Sequence, residues 1–135
     1  MNYGIVVSEF NEKVTEGLLQ ECLKGFEEQG ISPQIVRVPG AVEIPIALQS
    51  FINIRNPLAM VALGCVEKGD TDHYDAVCRM CADGIMEVML KTGVPIVFEV
   101  LMVDDEKKAL KRLKKGYEAA YSATRMAELL KSDRK

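Results

Sequence analysis

Leu58-Ala59-Met60-Val61-Ala62-Leu63-Gly64-Cys65-Val66 carries no charged side chain, and it gives way at once to Glu67-Lys68-Gly69-Asp70-Thr71-Asp72-His73. An uninterrupted apolar run of this length reads as a strand buried on both faces, the mark of the middle of a parallel sheet. The glycine-punctuated polar stretch after it reads as the turn into a helix, expected from about Thr71 to Lys91 and ending at Gly93. Strand, turn and helix in that order define one βα unit.

The same unit recurs on either side. Tyr3 to Val7 is a short apolar run ended by Ser8-Glu9-Phe10-Asn11. Val14, Leu18, Leu19, Cys22, Leu23 and Phe26 then repeat at helical spacing up to Gly30. Ile35 to Val38 is the second strand, broken by Pro39-Gly40, and Val42 to Ile54 reads as an apolar helix that tolerates Pro45 in its first turn. Val94 to Leu101 is the fourth strand, and Asp104-Asp105-Glu106 opens one long last helix with acidic residues at its positive end. Repeated βα units predict a four-stranded parallel sheet with helices on both faces, an α/β three-layer αβα sandwich. The whole chain, 1–135, reads as a single domain.

Bulk properties narrow the function. At 135 residues, 48% hydrophobic and 27% charged, the chain has the composition of a folded globular protein. A net charge of −3 argues against general nucleic-acid binding, which needs a broad basic field. No apolar run approaches the roughly 18 residues needed to cross a bilayer. The first strand begins almost at Met1, so no signal peptide is expected and a cytoplasmic location follows. Cys22, Cys65, Cys78 and Cys81 all lie in apolar-periodic segments and read as reduced, buried thiols. Cys78 and Cys81, three apart inside a helix, invite a metal or redox reading. They lack the flanking residues of a zinc deaminase and the strand-to-helix position of a redox pair, so no metal is assigned.

In such sheets ligands bind outside the carboxyl ends of the strands. Four loops meet there: Ser8–Asn11, Pro39–Pro45, Glu67–His73 and Leu101–Asp104. The third is the richest. Gly69 would let the backbone turn tightly, the amides of Asp70 and Thr71 and the Thr71 hydroxyl would face an anion, and His73, the only histidine, could exchange protons near neutral pH. The competing reading is an ordinary helix cap by Thr71 or Asp70, with His73 a surface residue. Glu43 has a similar bland alternative as a first-turn carboxylate. Taken singly, Phe10 and Phe98 read as core rather than as a ligand platform, and the cluster Lys107, Lys108, Lys111, Arg112, Lys114, Lys115 as a solvated helix face. Arg112 is its best candidate for a phosphate, because a guanidinium fork matches phosphate oxygens.

Taken together, four ordered motifs resemble the lumazine synthase family: Glu9-Phe10-Asn11, Val38-Pro39-Gly40-Ala41-Val42-Glu43-Ile44-Pro45, Leu63-Gly64-Cys65-Val66 with Gly69-Asp70-Thr71-Asp72-His73-Tyr74-Asp75-Ala76-Val77-Cys78, and Gly93-Val94-Pro95-Ile96-Val97-Phe98. The resemblance runs from about Tyr3 to Leu129 and is nearest the shorter, archaeal-type members. It implies a flavodoxin-like fold and condensation of 5-amino-6-(ribitylamino)uracil with 3,4-dihydroxy-2-butanone 4-phosphate, two small molecules, one phosphorylated, with no cofactor. Carried across, Phe10 and Asn11 would meet the pyrimidine, together with the backbone at Val66 and Glu67. Ala41, Val42 and Glu43 would line the ribityl chain, and Gly69, Asp70, Thr71 and Arg112 would hold the phosphate. His73 would move protons. Phe98 and Arg112 would come from a neighbouring subunit of a pentamer, with a 60-subunit shell as the larger alternative. Val42, Glu67-Lys68, Glu99 and Met102 depart from the family pattern, and the longer members' N-terminal arm is not seen. The rival readings are an archaeal-type riboflavin synthase, or a non-catalytic homologue that binds flavins or assembles.

Overall fold

In the computed structural model, which describes residues 2–131, the strands are β1 (Tyr3–Ser8), β2 (Gln34–Val38), β3 (Ala59–Glu67) and β4 (Ile96–Val103). All pair in parallel, in the order β2-β1-β3-β4. The helices are α1 (Glu12–Glu28), α2 (Ile44–Arg55), α3 (Tyr74–Thr92), α4 (Glu106–Leu110) and α5 (Lys114–Lys131). This is the predicted three-layer α/β sandwich.

Alternation along the strands builds two cores rather than one. Ile5, Val7, Val61 and Leu63 pack with Leu18, Leu19 and Phe26 of α1 and Ala119, Ala120 and Ala123 of α5. The intervening Val6, Met60 and Ala62 pack with Ile44 and Leu48 of α2 and Ile85 and Val88 of α3. Both faces of β1 and β3 are thereby covered, which is why their sequences show no polar alternation.

Helices α1 and α5 lie unusually close. A Cβ on Gly116 would sit 2.2 Å from the Leu18 carbonyl oxygen, and one on Gly25 would sit 2.8 Å from the Tyr117 oxygen. Small residues let the two backbones meet where larger side chains would hold them apart. At the far end, Glu28 Oε1 accepts hydrogen bonds from the hydroxyls of Tyr117 (2.5 Å) and Tyr121 (2.8 Å).

Three expectations are corrected. The last helix is not continuous: Lys111–Leu113 forms a turn between α4 and α5, with the Arg112 N–H on the Ala109 oxygen and the Lys115 N–H on the Arg112 oxygen. Lysine or arginine pairs four apart (Lys107 with Lys111, Lys108 with Arg112) repel along a helix, and the close seating of α5 on α1 fixes its direction separately from α4. Helices α2 and α3 start two and three residues later than expected: the 3₁₀ turn Ala41–Glu43 precedes α2, while before α3 Thr71 is extended and His73 takes the cap position. β4 runs Ile96–Val103 rather than from Val94, since Pro95 has no N–H for the ladder and its carbonyl serves only as acceptor for Met60.

Candidate active site

Strand β3 overshoots its neighbour: the last β1–β3 pair is Val7 with Leu63, while β3 continues to Glu67. The ledge so formed is the floor of a cavity of about 170 Å³ lined by Phe10, Gly40, Ala41, Val42, Cys65, Val66, Glu67, Thr71 and Val77. It lies at the carboxyl ends of the strands, as the topology requires.

Each wall has a local cause. Beyond β1, the N–H groups of Glu9 and Phe10 continue the pairing with β2 by donating to the carbonyls of Val38 (2.7 Å) and Pro39 (3.1 Å). That holds the Phe10 ring, 58% exposed, at the mouth. Asn11 takes the left-handed conformation (φ 63°), which asparagine tolerates better than most residues, and its Nδ2 donates to the Cys65 carbonyl at 2.9 Å. The Asn11 side chain thus ties the first loop to the β3 ledge. On the second loop, the Glu43 carboxylate accepts the Gly40 N–H at 2.9 Å and the Glu43 N–H donates to the Gly40 oxygen at 3.2 Å. Glu43 closes the turn that carries Ala41 and Val42 to the cavity. Its bland reading as a first-turn carboxylate is therefore true, and its side chain is not part of the lining.

The third loop resolves the question of the cap. His73 itself occupies the cap position of α3; its carbonyl accepts the Val77 N–H at 2.9 Å, and its side chain makes no capping bond. The His73 N–H donates to Thr71 Oγ1 at 3.1 Å. Thr71 is the loop residue that reaches the cavity, and His73 stands two residues on, exposed at the positive end of a 19-residue helix. Gly69 corrects an expectation. Among the described residues only Gly30 and Gly93 are glycines with positive φ, and a Cβ on Gly69 would meet nothing within 4 Å. No feature of the turn requires a glycine there. Asp70 ends the 3₁₀ turn, but its side chain lies outside the described part of the structure.

Two expected residues lie elsewhere on the chain. Phe98, 39% exposed, is on the edge strand β4, in register with Ala62, and Arg112 is exposed in the α4–α5 turn. Neither lines the cavity of its own chain. Sequence reasoning missed Gly40, Cys65 and Val77 as lining residues, although all three lay inside motifs already singled out. Asp104 ends the fourth loop, Leu101–Asp104, that the sequence placed at this edge of the sheet. Lys108 Nζ reaches Asp104 Oδ2 at 2.7 Å and, with a smaller contribution from Lys68, holds that carboxyl below its ordinary range.

The helical cysteines are packing groups. Cys81 is buried in the α2–α3 core, where loss of hydration pushes its thiol up to about 12. Cys78 is half-buried against Tyr74, and burial raises both groups. A thiol kept protonated is a poor nucleophile and metal ligand. No helix among the described residues is long and apolar enough to cross a membrane.

Comparison with known proteins places the chain among relatives of one name. The family profile for 6,7-dimethyl-8-ribityllumazine synthase matches residues 1–131. The chain is 42% identical to the 6,7-dimethyl-8-ribityllumazine synthase of Azoarcus sp. (strain BH72), over 97% of this chain and 86% of that one. It is 38% identical to the protein of the same name from Thermococcus gammatolerans, covering 97% and 88% of the two chains. The corresponding protein of Nitrosospira multiformis is 40% identical, with 96% and 83% covered.

Proposed function

The chain belongs to the 6,7-dimethyl-8-ribityllumazine synthase family, and from that premise we propose how its carboxyl-end cavity makes the lumazine of riboflavin biosynthesis. The substrates are 5-amino-6-(ribitylamino)uracil and 3,4-dihydroxy-2-butanone 4-phosphate, and phosphate and water are released. The observation that carries the reading is the convergence of Phe10, Ala41, Val42, Val66, Glu67 and Thr71 on one cavity.

The pyrimidine stacks against Phe10 over the β3 ledge, with Asn11 fixing that ledge and the backbone at Val66 and Glu67 facing the ring edge. The ribityl chain runs along Ala41 and Val42, within reach of the Glu43 carboxylate. The phosphate sits against Gly69, Asp70 and Thr71 near the start of α3, where helix polarity favours an anion. Open space over Gly69 supports this: a turn that does not need glycine for its own geometry gains from one where a ligand approaches the backbone. His73, with its ring free of any capping role, moves protons as the amine condenses with the ketone and as phosphate leaves. Imine formation and elimination need positioning and proton transfer, which these residues can supply.

Phe98 and Arg112 complete the site from an adjacent subunit in this proposal. Their distance from their own cavity supports it, as do the exposed apolar side chains Ile46 and Ile54 on α2 and Met86 and Leu90 on α3, a surface suited to self-association. The proposed assembly is a pentamer, in the cytoplasm, with the 60-subunit shell as its larger form. The relatives' names do not favour the riboflavin synthase reading. Mixing the purified protein with both substrates and following lumazine absorbance and phosphate release tests the proposal. Product at no more than the spontaneous rate would refute it, and native mass measurement tests the pentamer.

A further inference from the structure

His73 takes the cap position of α3 with no capping bond from its own side chain. The bond from its N–H to Thr71 Oγ1 is local to the loop and ties neither residue to the sheet. Asp72 and His73 are both exposed. The place of the imidazole is therefore left to whatever holds the start of α3.

Tyr74, the next residue, opens the helix and is half-buried. With Val77, Cys78, Cys81, Ile85 and Val88 it makes a stripe at helical spacing that packs into the α2–α3 core. Its ring is the largest group of that stripe and stands at the stripe's first turn, where an aromatic side chain buries the most surface for one residue. The hydroxyl meets the Cys78 thiol one turn on and feels the charge of Asp104, just past β4, which sets the ring toward the carboxyl end of the edge strand. Also one turn on, the Val77 N–H donates to the His73 carbonyl at 2.9 Å, and Val77 lines the cavity. One peptide bond separates the seated ring from His73. We propose that Tyr74 is a positioning residue: its ring, seated in the α2–α3 core, anchors the first turn of α3 and so fixes the place from which His73 moves protons. The inference rests on the assignment of proton transfer to His73 and adds to it the group that aims it. The ring carries this role rather than the hydroxyl, since the thiol that the hydroxyl meets belongs to the same helix.

Wild type, Tyr74→Phe and Tyr74→Ala are compared in two measurements, one of the helix start and one of the reaction. By hydrogen exchange, the Val77 amide, which reports the bond to the His73 carbonyl, should exchange about 10-fold faster or more in Tyr74→Ala, while the Ile85 amide deeper in α3 stays near wild type. In steady-state kinetics, Tyr74→Ala should lower kcat about 10- to 100-fold, the scale of a roughly 1 Å misplacement, and leave the KM for the pyrimidine within about twofold. Tyr74→Phe should restore both readings. Residues that act through one another are not additive, so in a His73→Ala background Tyr74→Ala should cost less than about twofold more. An equal loss of kcat with and without His73 would overturn the inference, as would wild-type kcat or wild-type Val77 exchange in Tyr74→Ala. Tyr74→Phe behaving like Tyr74→Ala would also overturn it. If Tyr74→Ala does not fold, Tyr74→Leu takes its place, with shifts of the same sign and smaller size. A wild-type protein that makes no lumazine would instead sink the assigned reaction, while exchange at Val77 would still judge the anchor.

Discussion

Replacing Gly116 by alanine should loosen the α1–α5 pair, although alanine is the better helix former. Intrinsic propensity alone favours Gly116→Ala by about 1 kcal/mol. Against it, the new Cβ would stand 2.2 Å from the Leu18 carbonyl oxygen and 3.0 Å from its carbonyl carbon. Both atoms belong to backbone, so no side chain can turn aside. The helices must separate by roughly 1 Å to restore ordinary contact, and Ala119, Ala120 and Ala123, all buried, withdraw from the core with α5. Overpacking of this kind costs about 1–3 kcal/mol, sometimes more, and a clash with rigid backbone belongs at the upper end; less the propensity gain, a net loss of about 2 kcal/mol is expected. Urea denaturation measures it: the midpoint should fall with little change in slope. Gly69→Ala is the matched control, because its Cβ meets open space, and its stability should stay within about 0.5 kcal/mol of wild type. A Gly116→Ala protein as stable as wild type, or more so, would show that the helix contact does not constrain α5.

Other outcomes follow from the site and its surroundings. His73→Ala should lower kcat by ~10²–10⁴-fold, the range of general acid–base help, with little change in substrate binding; steady-state kinetics with wild-type turnover would remove His73 from the mechanism. Arg112→Ala should raise the KM for the ketone phosphate and spare the pyrimidine, and unchanged kinetics would make the lysine-rich segment a solvated face only. Gly69→Ala, neutral to stability, should impair use of the same phosphorylated substrate. Glu99→Gln should be more stable than wild type at pH 7. Burial raises the Glu99 carboxyl pKa in the folded state, Lys115 opposing and Glu118 reinforcing. The ionised form therefore costs stability above the folded pKa, and that cost vanishes as pH falls toward the ordinary value of 4.5. Because the side chain is partly exposed, the gain should be under about 1 kcal/mol; denaturation at pH 7 and pH 4 should show it shrinking.

The central architecture was legible because β3 wears its surroundings on its sequence. Only a strand with helices over both faces can be apolar at every position from Ala59 to Val66, and the other βα repeats then fall into place around it. The α4–α5 break was not legible. No proline or glycine marks Lys111–Leu113, and the break comes from charge repulsion and from the distant Leu18 carbonyl at Gly116, neither visible as local propensity. The helix start at Ile44 was misplaced for a related reason, since the 3₁₀ turn Ala41–Glu43 carries the residue types of a first helical turn; the start at Tyr74 was misplaced because Thr71 looks like a cap while the backbone places His73 there. At the site, the loops were legible as places while the contacts within them were not. The Glu43 carboxylate, expected along a ligand, also bonds the Gly40 N–H, which the sequence did not reveal; His73 was expected either beside a cap or at work, and it is the cap by its backbone alone. Phe98 and Arg112 lie away from the cavity of their own chain.

The unfilled space above Gly69 has a consequence for how this chain can vary. A library of substitutions at that position, sorted only for soluble, folded protein, should retain nearly every small residue. The same library sorted for growth without supplied riboflavin should collapse to glycine. Position 69 would then be silent to the folding filter and loud to the metabolic one, whereas position 116 would be loud to both.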